Sequence, residues 1–300
     1  MGAVRGGHLC SHHSLVSGRY CGHDSGKVLH VLDCETEDVI STAQQQCEDR
    51  KVSFMVIRTD KVSKHFGGLK AVDGVDFVLK AEQLTSIIGP NGAGKTTLFN
   101  LIAGVYQPTS GKVIFKDRDI TNLSLHQVSR LGITKTYQIN HVFPSLKVFE
   151  NLRIAAQSRE SSFNFWKPAA SFKKVNEEAA RVMHLVQLTE KRNQLASTLS
   201  HGERRYLEIG IALATKPEVL LLDEPTAGMS CAETMLCSDL IKDLNVNLHL
   251  SIVLVEHDMS VVMNISDEVV VLNEGRVLAV GTPQEVSDNE DVQSVYLGEK

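Results

Sequence analysis

Three short runs, Leu84-Thr85-Ser86-Ile87-Ile88, Val219-Leu220-Leu221-Leu222 and Ser251-Ile252-Val253-Leu254-Val255, are mostly apolar and show no polar face. Runs of this length predict strands covered on both sides. Helical segments are predicted between and after them, over Thr96–Ala103, Leu123–Leu131, Tyr206–Ala214, Cys231–Leu244 and Met259–Ile265. Val175, Ala179, Val182, Met183 and Val186 recur at three- and four-residue intervals, the signature of an amphipathic helix. Val113–Phe115 reads as a further strand, and Asp267–Leu272 with Arg276–Val280 as a hairpin around Asn273-Glu274-Gly275. Ile57 to Leu79 is β-rich, with turns expected at Gly67-Gly68 and Asp73-Gly74. Strands alternating with helices predict an α/β fold with a mostly parallel sheet covered on both faces. An antiparallel β-rich edge precedes that sheet, and residues 139–200 form an inserted helical subdomain. Within the insert, 158–168 reads as a loop and Trp166 as a packing anchor.

The pattern fails over residues 1–54. That stretch holds His8, His12, His13, His23 and His30, and also Cys10, Cys21, Cys34 and Cys47. The cysteine gaps lack the paired C-x₂₋₄-C spacing of structural zinc sites. No signal-peptide core is present, and Asp24, Asp33, Glu35, Glu37 and Asp38 argue against a transit peptide. The expectation is a disordered extension or a misassigned start upstream of Met55, with one organised domain over 55–300. Cys231 and Cys237 are read as reduced cysteines on a helix.

Composition narrows the classes. Hydrophobic residues at 42% and charged residues at 22% suit a globular fold. A net charge of -5 argues against a general nucleic-acid binder, so no nucleic-acid partner is expected. No run approaches the roughly 18 apolar residues of a membrane-spanning helix, so membrane work would require a partner.

The chemistry is concentrated at residues 89–97, Gly-Pro-Asn-Gly-Ala-Gly-Lys-Thr-Thr. This run fits G-x-x-x-x-G-K-[ST] between a strand and a helix, the context the motif needs. Gly89, Asn91, Gly92, Ala93 and Gly94 offer backbone amides to phosphate oxygens, and Lys95 reaches the β/γ-phosphates. Thr96 and Thr97 supply hydroxyls, with Thr96 directed to Mg²⁺. The positive end of the following helix adds to the attraction, so the chain is expected to bind ATP or GTP. Asp223 ends an apolar strand and delivers a carboxylate to the sheet edge where α/β folds bind ligands. Asp223 is expected to hold metal and Glu224 to polarise the attacking water. His257 closes the next buried strand and should emerge at the same edge, where it could orient that water. Gln138, at the junction with the insert, could touch water or Mg²⁺.

Residues 56–300 resemble the ATP-binding subunit of an ABC transporter from end to end. The resemblance rests on the phosphate loop, Gln138, Leu199-Ser200-His201-Gly202-Glu203, Leu221-Leu222-Asp223-Glu224-Pro225 and Glu256-His257-Asp258. His65-Phe66-Gly67-Gly68-Leu69, Glu224 to Ser230, Glu256-His257-Asp258-Met259 and Tyr296-Leu297-Gly298-Glu299 resemble more narrowly the subunit of branched-chain and hydrophobic amino-acid uptake systems. The resemblance implies a P-loop NTPase fold of ABC type and ATP hydrolysis with Mg²⁺. It also implies a head-to-tail homodimer or heterodimer sandwiching two ATP molecules. Ser200 and Gly202 would meet the γ-phosphate held by the opposite subunit, and Phe66 would stack on adenine. Integral-membrane permease subunits, an extracytoplasmic substrate-binding protein and a place on the cytoplasmic face of the inner membrane complete the expectation. His201, Glu203, Ser230 and Cys231 depart from the commoner family residues. The alternatives are the ATPase of a lipid or lipopolysaccharide exporter and an ABC ATPase acting on DNA or ribosomes.

Overall fold

A computed structural model describes residues 55–136, 142–159 and 172–297. The expectations for 1–54, for Gln138 and for Trp166 lie outside those residues.

Two sheets carry the chain. In the first, β1 (Met55–Phe66), β2 (Leu69–Lys80), β4 (Ser110–Phe115) and β5 (Arg118–Asp119) lie antiparallel in the order β2-β1-β4-β5. The second holds β3 (Leu84–Ile88), β6 (Ile133–Lys135), β7 (Val219–Asp223), β8 (Ser251–Val255), β9 (Glu268–Asn273) and β10 (Arg276–Gly281), ordered β10-β9-β3-β8-β7-β6. Its strands run parallel except β10, which returns antiparallel on β9. The helices are α1 (Lys95–Ile102), α2 (Leu125–Leu131), α3 (Val148–Gln157), α4 (Lys173–Leu185), α5 (His201–Ala214), α6 (Cys231–Leu248), α7 (Met259–Ile265), α8 (Pro283–Ser287) and α9 (Glu290–Leu297).

Every residue of β3, β7 and β8 is buried, and successive side chains go to opposite faces. Val219, Leu221, Val253 and Val255 join Leu98, Phe99 and Ile102 of α1 and Ile57 and Leu79 of the antiparallel sheet. Leu220, Leu222, Ile252 and Leu254 join Leu207, Leu213, Leu240 and Leu244 of α5 and α6, with Leu152, Val175, Ala179 and Val182 of α3 and α4 behind them. Each such side chain contributes about 1.5–3 kcal/mol by leaving water. The two-sided burial explains why these strands read as unbroken apolar runs.

Helix α5 begins at His201, five residues before the expected Tyr206, and β2 and α6 also differ from expectation. Asp73-Gly74 is not a turn, because β2 runs straight through it. The pairing with β1 slips there, and Gly74 takes φ 67°, the geometry of a bulge. The bulge is stitched to the β9–β10 hairpin: the Asp73 amide donates to the Gly275 carbonyl at 2.8 Å, and Arg276 Nη2 donates to the Asp73 carboxylate at 2.8 Å. Helix α6 continues four residues past Leu244 and stops at His249, at φ 52°. The buried Asn245 amide donates to the Leu250 and Glu82 carbonyls and so carries the chain into β8.

The two cysteines of α6 face different surroundings. Cys231 is exposed; Cys237 is buried, and burial pushes its thiol up to about 12. Only the thiolate reacts with alkylating reagents. Peptide mapping after brief iodoacetamide treatment at pH 8 should show Cys231 modified and Cys237 intact until the chain is unfolded.

Candidate phosphate-handling site

The loop between β3 and α1 is shaped by glycines that no other residue could replace. Gly89 sits at φ 145°, and a Cβ there would lie 2.1 Å from the Leu272 carbonyl oxygen. Gly94 caps α1 at φ 99°, where a Cβ would lie 2.3 Å from the Ala71 carbonyl oxygen. The loop is therefore clamped between β9 and β2 with its amides wrapped around the start of α1. Lys95 is buried, and its Nζ donates to the carbonyls of Gly89 and Pro90 at 2.6 and 2.8 Å. The ammonium thus lies within the loop, while Thr96 faces outward.

A cavity of about 610 Å³ opens at this loop. Phe66, Asn91 to Thr97, Glu224 and His257 all line it, as do Leu69, Lys70, Ala71 and Glu274. Phe66 is 45% exposed at the β1–β2 turn and is not a core strand residue. The Tyr106 ring meets it edge-on at 5.5 Å, and Lys64 Nζ lies 5.2 Å from its centroid. Sequence reasoning missed Tyr106, which follows a glycine-containing turn and gives no periodic signal.

Asp223 shares the face of Leu221, the side toward α1, and does not line the cavity. It is 4% exposed, with Lys135 Nζ at 3.4 Å from Oδ2. Lys135 comes from the edge strand β6, donates to Asn100 Oδ1 on α1 at 2.5 Å and lies over the Phe99 ring at 4.9 Å. Burial raises the Asp223 carboxyl above its usual range, and the Lys135 cation opposes that rise. The same burial lowers the Lys135 ammonium, opposed by Asp223. Sequence reading gave Lys135 no role, because a single lysine in a three-residue strand resembles a solvated edge.

Glu224 turns the chain off β7 at φ 46°, in the left-handed region. Its amide donates to the Val255 carbonyl at 2.9 Å, and its Oε1 is hydrogen-bonded to His257 Nε2 at 2.9 Å. The expected emergence of Asp223 and His257 at one sheet edge is what the parallel β7–β8 register delivers: Asp223 pairs with Val255, two residues before His257.

Ser200 and Gly202 stand apart, at the start of α5, and do not line this cavity. Ser200 Oγ accepts from the Glu203 amide at 3.2 Å, while Glu203 Oε2 accepts from the Ser200 amide at 2.9 Å, a reciprocal cap. Glu203, one of the departures noted above, thus has a structural use, and Lys191 pairs with it at 3.1 Å. Ser230 likewise caps α6 with Glu233, whose carboxylate lies against Gly202. Among the described residues no helix is long and apolar enough to cross a membrane.

Comparison with known proteins agrees with this geometry. The ABC transporter family matches residues 72–227, and a family described as the branched-chain amino acid ATP-binding cassette transporter matches residues 276–300. The high-affinity branched-chain amino acid transport ATP-binding protein BraF of Pseudomonas aeruginosa is 41% identical over 255 residues, covering 83% of this chain and 100% of that protein. LivG of Escherichia coli K12, with the same description, is 41% identical over 254 residues with the same coverage. Among solved structures, the ADP conformation of MJ1267, an ATP-binding cassette of an ABC transporter, superposes with a TM-score of 0.74 at 30% identity. That match covers 82% of this chain and 99% of the other.

Proposed function

The chain belongs to the ABC transporter ATP-binding family, and on that premise we propose that it is the ATP-hydrolysing subunit of an importer for branched-chain or other hydrophobic amino acids. The observation that carries the substrate class is the 41% identity to BraF and LivG along their whole length. The gathering of Phe66, the phosphate loop, Glu224 and His257 around one cavity supports the hydrolytic part.

In this reading Phe66 stacks on adenine, while the amides of Gly89 to Gly94 and the Lys95 ammonium neutralise the phosphates. Glu224 takes up proton character from the attacking water, and His257 holds Glu224 and the water in line. The donor chemistry fits magnesium: a threonine hydroxyl and a carboxylate are hard oxygen donors. Thr96 and Asp223, with Gln138, would hold it. Burial raises the Asp223 carboxyl and Lys135, 3.4 Å away, opposes that rise, so the residue stands as an oxygen donor beside a cation at the end of β7. When bound, the cation would shield charge on the β- and γ-phosphates.

A second ATP-binding subunit, identical or related, supplies Ser200 and Gly202 to the γ-phosphate held here. The hydroxyl, the close glycine backbone and the positive end of α5 all suit an anion. Permease subunits dock the dimer to the cytoplasmic face of the inner membrane, and an extracytoplasmic binding protein brings the substrate.

The test is purification from native membranes followed by reconstitution into vesicles. The expected result is co-purification with integral-membrane subunits and ATP-dependent uptake of labelled leucine, isoleucine or valine. Co-purification with a lipid-export permease, with no uptake, would overturn the reading.

A further inference from the structure

Two links, one above the other, tie the loop after β7 to the loop after β8. The outer one is Glu224 Oε1 to His257 Nε2 at 2.9 Å. The inner one belongs to Glu256, a carboxylate only 3% exposed. Its Oε1 accepts from the Thr226 amide at 3.1 Å and from Thr226 Oγ1 at 2.7 Å. Its Oε2 accepts from the His257 amide at 3.2 Å. These donors are two backbone amides and a hydroxyl, which can satisfy a buried carboxylate without a cation.

The division between the two oxygens matters. One oxygen holds Thr226, two residues beyond Glu224; the other holds His257 itself. The Glu224 amide also bonds the Val255 carbonyl at 2.9 Å, so the stretches 224–226 and 255–257 are pinned at both ends. A hydrophobic residue would fill the volume but fix neither loop. A buried polar group is costly unless it is hydrogen-bonded, and both oxygens here accept, Oε1 twice and Oε2 once.

We infer that Glu256 is the positioning residue that sets the register between Glu224 and His257, acting through both of its carboxylate oxygens. The inference rests on the catalytic reading of those two residues given above. Misplacing a reacting group by about 1 Å can cost on the order of 100-fold in rate. Loss of the inner link should therefore slow the chemical step while leaving the phosphate loop, which Glu256 does not touch, able to bind nucleotide.

The substitution Glu256→Gln separates this role from simple packing. Whichever way the amide turns, its NH₂ confronts either the His257 amide or the Thr226 donors, so one loop loses its acceptor. The expected result is a fall in kcat of about 10-fold or more, with ATP affinity changed by less than about 2-fold. Thr226→Val, which deletes the hydroxyl donor, should slow kcat by about 3- to 30-fold, and Thr226→Ser, which keeps it, should restore the rate. The double variant Glu256→Gln/Thr226→Val should lose less than the product of the two single losses, because both substitutions act on one carboxylate-centred link.

Wild-type kcat in both Glu256→Gln and Thr226→Val, or losses in kcat matched by equal losses in ATP affinity, would overturn the inference. Glu224→Gln run in the same assay distinguishes the levels. If it abolishes turnover while Glu256→Gln does not slow it, only the positioning role fails; if Glu224→Gln turns over normally, the catalytic reading falls and takes the inference with it. Should Glu256→Gln fail to fold, the valine–serine pair at Thr226 decides the matter.

Discussion

Glu224→Gln is expected to lower steady-state phosphate release by about 100- to 10,000-fold while leaving ATP binding intact. Three features of the site lead there. The Glu224 side chain lines the cavity shared with Lys95 and Thr96. Its Oε1 is paired with His257 Nε2, so it is held at one place on the wall. Its backbone turns off β7 with φ 46°, which projects the side chain away from the buried strand. Glutamine keeps the shape and a hydrogen-bonding oxygen toward His257 but cannot take up a proton from water. ATP should then persist, and if two γ-phosphates bridge two subunits the closed pair persists with it. Shifting a two-state equilibrium from 1:99 to 99:1 needs about 5.5 kcal/mol of differential binding, which two doubly contacted phosphates can supply. Size-exclusion chromatography with light scattering should show the 33.0 kDa chain moving to twice that mass with ATP in the variant. Malachite-green assay of phosphate release gives the rate. Normal turnover would remove Glu224 from the catalytic role.

The parts of this site that could be read from sequence are those where one residue type has one physical use. Gly89 and Gly94 stand at φ 145° and 99° against neighbouring carbonyls, so only glycine serves there, and the motif is visible as spelling. Asp223 and His257 were legible because unbroken apolar runs predict strands buried on both sides, and such strands deliver their last residues to a common edge. Lys135 and Glu256 were not assigned roles, since each matters through a partner distant in the chain: Asp223 lies 88 positions away from Lys135, and Thr226 lies 30 away from Glu256. Helix α3 was lost in the general reading of a helical insert because Asn151 occupies one of its buried positions. That asparagine bonds the Phe143 amide and carbonyl and the Lys147 carbonyl, so a polar residue interrupts the apolar stripe for a structural reason. The turn expected at Asp73-Gly74 failed for a related cause. Asp-Gly favours a turn locally, but two long strands and a hairpin on the other sheet hold it as a bulge.

Lys135→Met should destabilise the fold by about 3–5 kcal/mol, the usual cost of removing one partner from a buried ion pair. The side chains of Lys135 and Asp223 are 7% and 5% exposed, so water cannot replace the missing cation. The loss falls on Asp223, whose carboxyl burial already pushes upward and whose ion-pair partner against that rise is Lys135. It also falls on Asn100, which would keep its side-chain oxygen beside a methionine tail. Met fills the stem's volume and retains contact with the Phe99 ring, so the deficit is electrostatic rather than one of packing. The second variant, Lys135→Met/Asp223→Leu, removes both charges and should recover most of the lost stability, because an apolar pair of similar size avoids the desolvation of either ion. Urea unfolding at pH 7, followed by circular dichroism, measures both. A single variant within about 1 kcal/mol of the parent would mean that Asp223 does not depend on Lys135. A double variant as unstable as the single would mean that the lysine acts by packing against α1 instead. The expected pattern, a large loss followed by recovery in a chain that no longer has the carboxylate, makes Lys135 the residue on which this sheet depends to bury Asp223 at the end of a strand otherwise built from Val219 to Leu222.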